Sequence, residues 1–167
     1  MDVFDQKKGG AVRTVCFTGH RQIPFEVAAR LPELLENVIA DLHERGAVAF
    51  RTGGAMGFDT LAALKVLDMR KKFPDIRLEL ILPCRNQTDR WDAASKQTYH
   101  YIMREANHCR FLYDTYFEGC MLERDRRLVT GSDVCVAYCA HNQGGTAYTF
   151  ACAMKEGLEV VNLHDFL

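Results

Sequence analysis

Residues 48–60 read VAFRTGGAMGFDT, and this segment indicates the fold class. Val48 to Thr52 is a short, mainly apolar run that is typical of a buried strand, and apolar residues then recur at helical spacing from Phe58 to Phe73. Three glycines lie between the two segments. A strand that passes through a glycine turn directly into a helix predicts a β-α unit of a parallel sheet.

The same strand-then-helix pattern recurs along the chain. We predict six strands, at 13–18, 48–52, 76–82, 109–113, 133–138 and 158–162. Between them we predict helices at 25–46, 58–73, 93–107, 120–129 and 147–156. The strand segments are nearly all apolar, which fits a sheet that is buried on both faces. The sequence therefore predicts one α/β domain over 13–167, a three-layer, Rossmann-like, doubly wound and mostly parallel sheet with helices on both faces, after a frayed N-terminal lead-in over 1–12.

Composition and charge exclude several classes of protein. The chain has 167 residues, of which 48% are hydrophobic and 26% charged, which is ordinary for one globular domain. The formal charge is -1, so the chain is not a globally basic nucleic-acid binder. The densest basic run, Arg124, Arg126 and Arg127, is interleaved with acids and is typical of a solvated helix face. No apolar run approaches the roughly 20 residues that span a bilayer, and Met1–Gly10 lacks the apolar core of a secretory signal.

The seven cysteines indicate a reducing compartment. Their number is odd and none forms a Cys-x-x-Cys pair, which argues against a secreted disulfide scaffold. The nearest metal-like group is Cys135, Cys139 and His141, and it lacks the second ligand pair of a structural zinc site. We therefore predict a cytoplasmic protein without a metal, in which cysteines serve as small core residues. Neither a membrane nor a nucleic acid is an expected partner.

The loop after the first strand carries Gly19, His20 and Arg21. Ligands of doubly wound sheets bind outside the carboxyl ends of the strands, so this loop belongs to the candidate site. An arginine suits phosphate because its planar guanidinium donates two parallel hydrogen bonds. The alternative is that Arg21 caps a helix or pairs with a surface carboxylate.

Two glycine turns lead directly into helices, whose N-termini attract anions. One turn follows the second strand and the other follows the fifth. Missing side chains in the first turn would let a phosphate approach the backbone closely. Together the turns supply the predicted phosphate ligands Gly53, Gly54, Gly57, Gly144, Gly145 and Thr146.

Two further side chains complete the predicted site. Asp59 would hold a ribose hydroxyl, unless it or Thr60 is only a helix N-cap. Trp91, the only tryptophan, would stack on a nucleobase, or else it begins the next helix and packs on the core. Tyr148 is a second candidate for the stacking role. If the ligand is cleaved, His20 and Asp59 are the candidate acid and base.

Taken in order, the motifs resemble one family. They are Thr-Gly-His-Arg at 18–21, Gly-Gly-Ala-x-Gly-Phe-Asp at 53–59, Pro-x-x-Asn-Gln-x-x-x-Trp at 83–91, Ser-Asp at 132–133 and Gly-Gly-Thr at 144–146. This set closely resembles the YpsA-like branch of the SLOG superfamily, which is related to the Rossmann-like domain of DprA and to the LOG nucleotide hydrolases. The resemblance covers about residues 13–165 and implies a Rossmann-like fold that binds a nucleotide or a nucleotide-derived ligand, with a sensing role.

One departure from the LOG hydrolases bears on activity. Their motif reads Pro-Gly-Gly-x-Gly-Thr-x-x-Glu with a catalytic Glu, whereas residues 143–150 of this chain read QGGTAYTF. The missing Glu argues against phosphoribosyl cleavage. The leading hypothesis is therefore a nucleotide-binding sensor, with ADP-ribose, NAD or AMP as candidate ligands. A hydrolase of an N-glycosidic or phosphate bond and a single-stranded nucleic-acid-binding module are the alternatives, and enzymatic activity, a protein partner and a homo-oligomer stay open.

Overall fold

The computed structural model describes residues 11–167, and the predicted alternation of strands and helices is confirmed there. The strands are β1 Thr14–Gly19, β2 Ala49–Thr52, β3 Arg77–Cys84, β4 His108–Tyr113, β5 Val134–Tyr138 and β6 Glu159–Asn162. The helices are α1 Phe25–Glu44, α2 Phe58–Met69, α3 Ala93–Glu105, α4 Cys120–Val129 and α5 Gly144–Lys155, and a 3₁₀ turn, Leu163–Phe166, follows β6.

Most of the predicted N-terminal lead-in, residues 1–10, lies outside the described residues. Val12, the last residue of that predicted segment, is buried. Its amide donates to the Arg45 carbonyl at 3.2 Å. The packed domain therefore includes Val12.

The strand order β4-β3-β2-β1-β5-β6 confirms the doubly wound sheet. Every neighbouring pair in this sheet is parallel. The chain winds outward from β1 to β4 and then returns to the other side of β1 with β5. The direction of winding therefore reverses between β1 and β5, at the position where sheets of this type bind ligands.

Two apolar cores lie on the two faces of the sheet. The larger core joins the sheet to α1, α2 and α3, and stacked rings of Phe17 and Phe50 lie at its centre. The smaller core joins Cys16 and Cys135 to Leu128 of α4 and to α5. Within residues 11–167, no helix combines the length and the apolar character needed to cross a membrane.

Two helix boundaries differ from the predicted ones by three residues or more. Helix α2 ends at Met69 rather than Phe73, because Arg70 to Pro74 form turns that lead into β3. Helix α5 begins at Gly144 rather than Ala147. Glycine is a poor helix former, so periodicity places the start too late, but the first turn of a helix needs no side-chain packing. The second glycine turn is therefore the first turn of α5 itself.

Candidate functional site

A cavity of about 380 Å³ opens at the carboxyl ends of β1 and β5, where the winding reverses. Its walls come from the loop after β1, the start of α2, α4 and the first turn of α5. Most of the predicted ligand residues line it: Gly19, His20, Arg21, Asp59, Gly144, Gly145 and Thr146. Both candidate catalytic residues, His20 and Asp59, are among them. We call this space the inner cavity.

The first glycine turn does not line the inner cavity in the way that the sequence suggests. An added Cβ at Gly53 would lie 2.7 Å from the Arg124 side chain, and one at Gly54 would collide with Leu82. The amide of Ala55 in this turn already donates to the Asp59 carboxylate at 3.1 Å. Protein side chains therefore fill the space on the Cβ side of Gly53 and Gly54, and phosphate binding at these two residues stays a prediction.

Gly57 holds the first turn against the loop that follows β1. Its φ is +77°, which favours glycine, and an added Cβ would lie 2.6 Å from the His20 carbonyl oxygen. The neighbouring Phe58 amide donates to the same carbonyl at 3.1 Å. Gly57 therefore positions the His20–Arg21 segment and lies outside the lining of the inner cavity.

The second glycine turn faces open space. Gly144 has a φ of +87°, and an added Cβ there would meet nothing within 4 Å. At Gly145 the nearest atom to an added Cβ is Asp125 Oδ2, at 3.4 Å. Because these residues begin α5, their amides have no carbonyl one turn back within the helix. This turn has the geometry that the sequence assigns to anion binding.

Arg124 is a buried part of the site that sequence reasoning missed. Its side chain was expected on a solvated face, but the residue is 5% exposed. Its Nε donates to Asp125 Oδ1 at 2.7 Å and its Nη1 donates to the Gly53 carbonyl at 2.5 Å. Helical spacing could have indicated this, since Arg124 lies four residues from both Cys120 and Leu128, which are buried. Arg126 and Arg127 lie off that stripe and are exposed.

Asp59 is a buried carboxyl group on the wall of the inner cavity. Burial raises its pKa to about 6, although Arg124 and the Ala55 amide act in the opposite direction. The N-cap of α2 is Gly57, so neither Asp59 nor Thr60 is the N-cap that the alternative interpretation proposed. The Thr60 hydroxyl donates instead to the Ala55 carbonyl at 3.0 Å. A carboxyl group that titrates near pH 6 can exchange a proton under physiological conditions.

His20 is neutral at pH 7 in this environment. The Ala140 amide donates to its Nε2 at 2.8 Å, so this nitrogen is an acceptor and carries no proton. Its ring stacks on His141 at 4.1 Å between centroids. Burial lowers the pKa of His20, and His141 and His164 lower it further. The positive charge of this loop therefore belongs to the exposed Arg21, with which no carboxylate of residues 11–167 forms an ion pair.

Trp91 lies outside the inner cavity and lines a second one. This outer cavity, of about 570 Å³, is also lined by Asn86, Arg90 and Tyr116. The indole packs against the main core and meets Tyr99 edge to face, with centroids 5.5 Å apart. Arg21 and Met121 line both cavities, which are therefore adjacent. Tyr148, the other predicted stacking residue, lines neither of the two.

The Ser-Asp motif lies at the opposite end of the sheet. Asp133 Oδ2 accepts hydrogen bonds from the amides of Arg13 and Thr14 at 3.0 and 2.9 Å. The Ser132 hydroxyl donates to the Leu128 carbonyl at 2.6 Å. This motif therefore ties the amino ends of β1 and β5 together. Among residues 11–167, no group of three or more His, Cys, Asp or Glu side chains is placed to hold a metal ion.

Comparisons with curated proteins match this chain to bacterial relatives. A UPF0398 protein of Brevibacillus brevis is 28% identical over 106 residues, which are 62% of this chain and 56% of that protein. A UPF0398 protein of Staphylococcus epidermidis is 22% identical over 160 residues, which are 90% of this chain and 85% of that protein. The chain thus spans about half of the first relative and most of the second.

Solved structures support the fold. DNA processing protein A (DprA) of Streptococcus pneumoniae matches with a TM-score of 0.67 at 19% identity, over 89% of this chain and 49% of that one. DprA of Helicobacter pylori matches with a TM-score of 0.63 at 21% identity, over 93% of this chain and 67% of that one. At these identities the likeness concerns the fold alone. A model of the YspA SLOG family, however, matches residues 15–162, and the chain belongs to that family.

Proposed function

We propose that this protein binds a nucleotide or a nucleotide-derived ligand in the inner cavity. The main support for this proposal is the first turn of α5. Its residues Gly144, Gly145 and Thr146 line the inner cavity, so the N-terminus of a helix lies at the edge of that cavity. Helix N-termini attract phosphate through their free amides and the helix dipole. The exposed Arg21, which also lines the cavity, adds a positive charge that suits a phosphate oxygen.

Two buried carboxyl groups favour a phosphate ester whose organic part has hydroxyl groups. They disfavour inorganic phosphate. Asp59 and Asp125 both line the inner cavity, where Arg124 already pairs with Asp125. A carboxylate repels a phosphate but accepts hydrogen bonds from hydroxyl groups. We therefore assign a hydroxyl group of the ligand to Asp59 and a phosphate to the start of α5.

We further propose that the protein acts as a sensor in a reducing cytoplasm. The absence of the LOG glutamate from residues 143–150 supports binding without phosphoribosyl cleavage. All seven cysteines are free thiols, which is consistent with a reducing compartment. In this proposal the partner is a small molecule and neither a membrane nor a nucleic acid.

Thermal unfolding in the presence of a nucleotide panel tests the proposal. At a ligand concentration 100-fold above Kd, a ligand that binds only the folded state adds about 2.7 kcal/mol of stability. In a chain of this size that raises Tm by roughly 5–10 °C. The panel is AMP, ADP, ATP, NAD and ADP-ribose, and the absence of a shift with all five would overturn the proposal.

The substitution Gly145→Ala tests whether a phosphate of the ligand binds at the first turn of α5. An added Cβ at Gly145 meets only Asp125 Oδ2, at an ordinary contact distance of 3.4 Å, so the fold should persist. A methyl group on the first turn of α5 would hold a phosphate away from the amides, and the nucleotide-dependent rise in Tm should shrink. Ala151→Ser, at an exposed position further along α5, is the control and should retain the full shift.

A hydrolase is the second candidate function, and the pKa of about 6 at Asp59 favours it. A carboxyl group of this pKa in a ligand cavity is suited to donate or accept a proton during bond cleavage. Asp59→Asn should then abolish product formation while nucleotide binding persists. Unchanged turnover in this variant would remove Asp59 from the reaction, and no turnover of any panel nucleotide by the wild type would leave binding as the function.

Binding of single-stranded nucleic acid is the third candidate, and one comparison suggests it. DprA of Helicobacter pylori has a unique single-stranded DNA binding mode. Such binding depends on phosphate neutralisation and weakens steeply with salt, whereas this chain has a formal charge of -1. We expect no binding of a labelled oligonucleotide at low salt. Binding that weakens steeply as salt is added would favour this candidate over the small-molecule proposal.

A further inference from the structure

The outer cavity and the inner cavity form one groove along the carboxyl edge of the sheet. Arg21 and Met121 line both, so the two spaces meet at these side chains. Arg21 is exposed at the junction and bears a positive charge. A ligand that occupies both cavities must pass this arginine.

The two cavities differ in chemistry. The inner one presents amides, carboxyl groups and arginines, which suit phosphate and hydroxyl groups. The outer one presents the half-buried indole of Trp91 and the exposed ring of Tyr116, with the amide of Asn86 nearby. Aromatic rings of this kind stack on nucleobases. The groove therefore has a phosphate end and a base end.

The strand order sets the scale of the distance between these ends. The phosphate end follows β5 and the base end follows β3, and the order β3-β2-β1-β5 places three strand intervals between these two strands. Neighbouring strands lie about 4.8 Å apart, so the carboxyl ends of β3 and β5 are roughly 14 Å apart. A nucleoside monophosphate is too short to stack at Trp91 and place its phosphate at α5. A second phosphate supplies the missing length.

We propose that the groove selects a nucleoside diphosphate, free or as half of a larger nucleotide. The base stacks in the outer cavity against Trp91, the first phosphate lies beside Arg21, and the terminal phosphate lies at the start of α5. This inference rests on the proposed function and adds a second binding surface and a minimum ligand length. A mononucleotide binds through one end only.

Trp91 is the only tryptophan, so intrinsic fluorescence reports directly on the base end. Titrations with ADP, AMP and pyrophosphate, followed by fluorescence and by calorimetry, test the proposal in the intact chain. ADP should quench Trp91 and bind about tenfold more tightly than pyrophosphate, because it adds a stacked base. AMP should also quench Trp91, because its base reaches the outer cavity and its phosphate reaches Arg21, but it should bind more weakly than ADP because it lacks the phosphate at the start of α5. Pyrophosphate should bind without quenching.

Two substitutions of Trp91 measure how much base stacking contributes to ADP affinity. Trp91→Ala should lower ADP affinity about tenfold, to the level of pyrophosphate, and leave pyrophosphate affinity unchanged. Trp91→Phe keeps an aromatic ring and should retain ADP affinity within about threefold, which provides a test if the alanine variant does not fold. Tyr148→Ala, which removes an aromatic ring outside both cavities, is the matched control and should bind ADP as the wild type does.

The failure of this inference and the failure of the proposed function give different results. Equal affinity for AMP and ADP would overturn the inference and leave nucleotide binding intact. ADP binding without quenching, or unchanged ADP affinity in Trp91→Ala, would overturn it in the same way. No calorimetric binding of ADP, AMP or pyrophosphate would overturn both.

Discussion

Arg124 decides the local structure of the site at the scale of single residues. Its guanidinium group occupies the space beside Gly53 and joins the Gly53 carbonyl to the Asp125 carboxylate. A buried arginine in this position compensates the charge of Asp125 and acts to lower the pKa of Asp59. The strand-end turn, helix α4 and the cavity wall are therefore connected through one side chain.

Removing this side chain should strongly destabilise the fold. Arg124→Met leaves the buried carboxylate of Asp125 without its partner, and breaking a buried pair in this way costs about 3–5 kcal/mol. Urea unfolding of the variant and the wild type measures the change. Arg127→Met is the control, because the exposed Arg127 lies 4.0 Å from Glu123 and such pairs contribute at most about 1 kcal/mol. Equal losses in the two variants would show that Arg124 has no special structural role.

At the scale of elements, the packing of the first glycine turn against the β1 loop sets the shape of the inner cavity. Gly57 and the Phe58 amide both contact the His20 carbonyl. This contact fixes where His20 and Arg21 leave the sheet. The loop after β5 has no such support at Gly144, where an added Cβ would meet open space. One glycine turn therefore builds the site and the other is available to a ligand.

Two glycine-to-alanine variants at positions of positive φ measure that contact. Gly57 and Gly157 have φ values of +77° and +78°, so alanine is strained at both, and the ψ of -122° at Gly57 lies outside the left-handed α region. An added Cβ at Gly157 meets nothing within 4 Å, whereas one at Gly57 collides with the His20–Arg21 backbone. Gly57→Ala should therefore lose about 2 kcal/mol more than Gly157→Ala, on the order of an overpacked core site. Similar unfolding midpoints in denaturant would contradict the inferred contact.

At the scale of the whole molecule, the doubly wound topology brings distant segments of the chain to one edge. Residues 18–21, 55–59, 121–125 and 141–146 contribute to one cavity although other strands and helices separate them in sequence. The same topology buries Asp59 beneath that cavity. A single buried carboxyl group of this kind makes the stability of the entire domain depend on pH.

Asp59 should lower the free energy of unfolding as the pH rises from about 4 to 6. Its folded-state pKa is about 6 against an ordinary value of 3.8, so the folded protein binds its proton more tightly. The stability contributed by the protonated group is complete below pH 3.8 and is lost as the pH rises through 6, by on the order of 3 kcal/mol. Asp59→Asn should therefore gain stability relative to the wild type across this window.

Urea unfolding of both proteins between pH 4 and 7 provides the measurement. His20 acts in the opposite sense, because its lowered pKa costs stability as the pH falls through 6.5, but it is present in both proteins and cancels in the difference. A pH-independent difference between the two proteins would show that Asp59 ionises at an ordinary pKa.

Much of the fold could be predicted from local patterns, and less of the site. Alternating apolar runs and helical periodicity predict the order of the six strands and five helices, and the expected placement of Gly144, Gly145 and Thr146 near Arg21 agrees with their shared cavity. A basic run on a helix is usually solvated, and this rule misplaces Arg124, although its spacing of four residues from Cys120 and from Leu128 indicates burial. The position of Trp91 relative to α5 could not be predicted from local patterns, because it depends on the strand order.

The α/β class, the two glycine turns and the family resemblance can be read from the amino-acid sequence, because strand propensity, helical spacing and glycine turns are local properties of the chain. The tertiary structure shows which turn is open, because the space beside Gly53 and Gly54 is filled by the side chains of Arg124 and Leu82, which are distant along the chain. It also placed Trp91 three strands from α5, since strand order depends on how β5 returns across the sheet. Local signals thus identify the groups that can bind a ligand, and long-range packing decides which of them remain accessible.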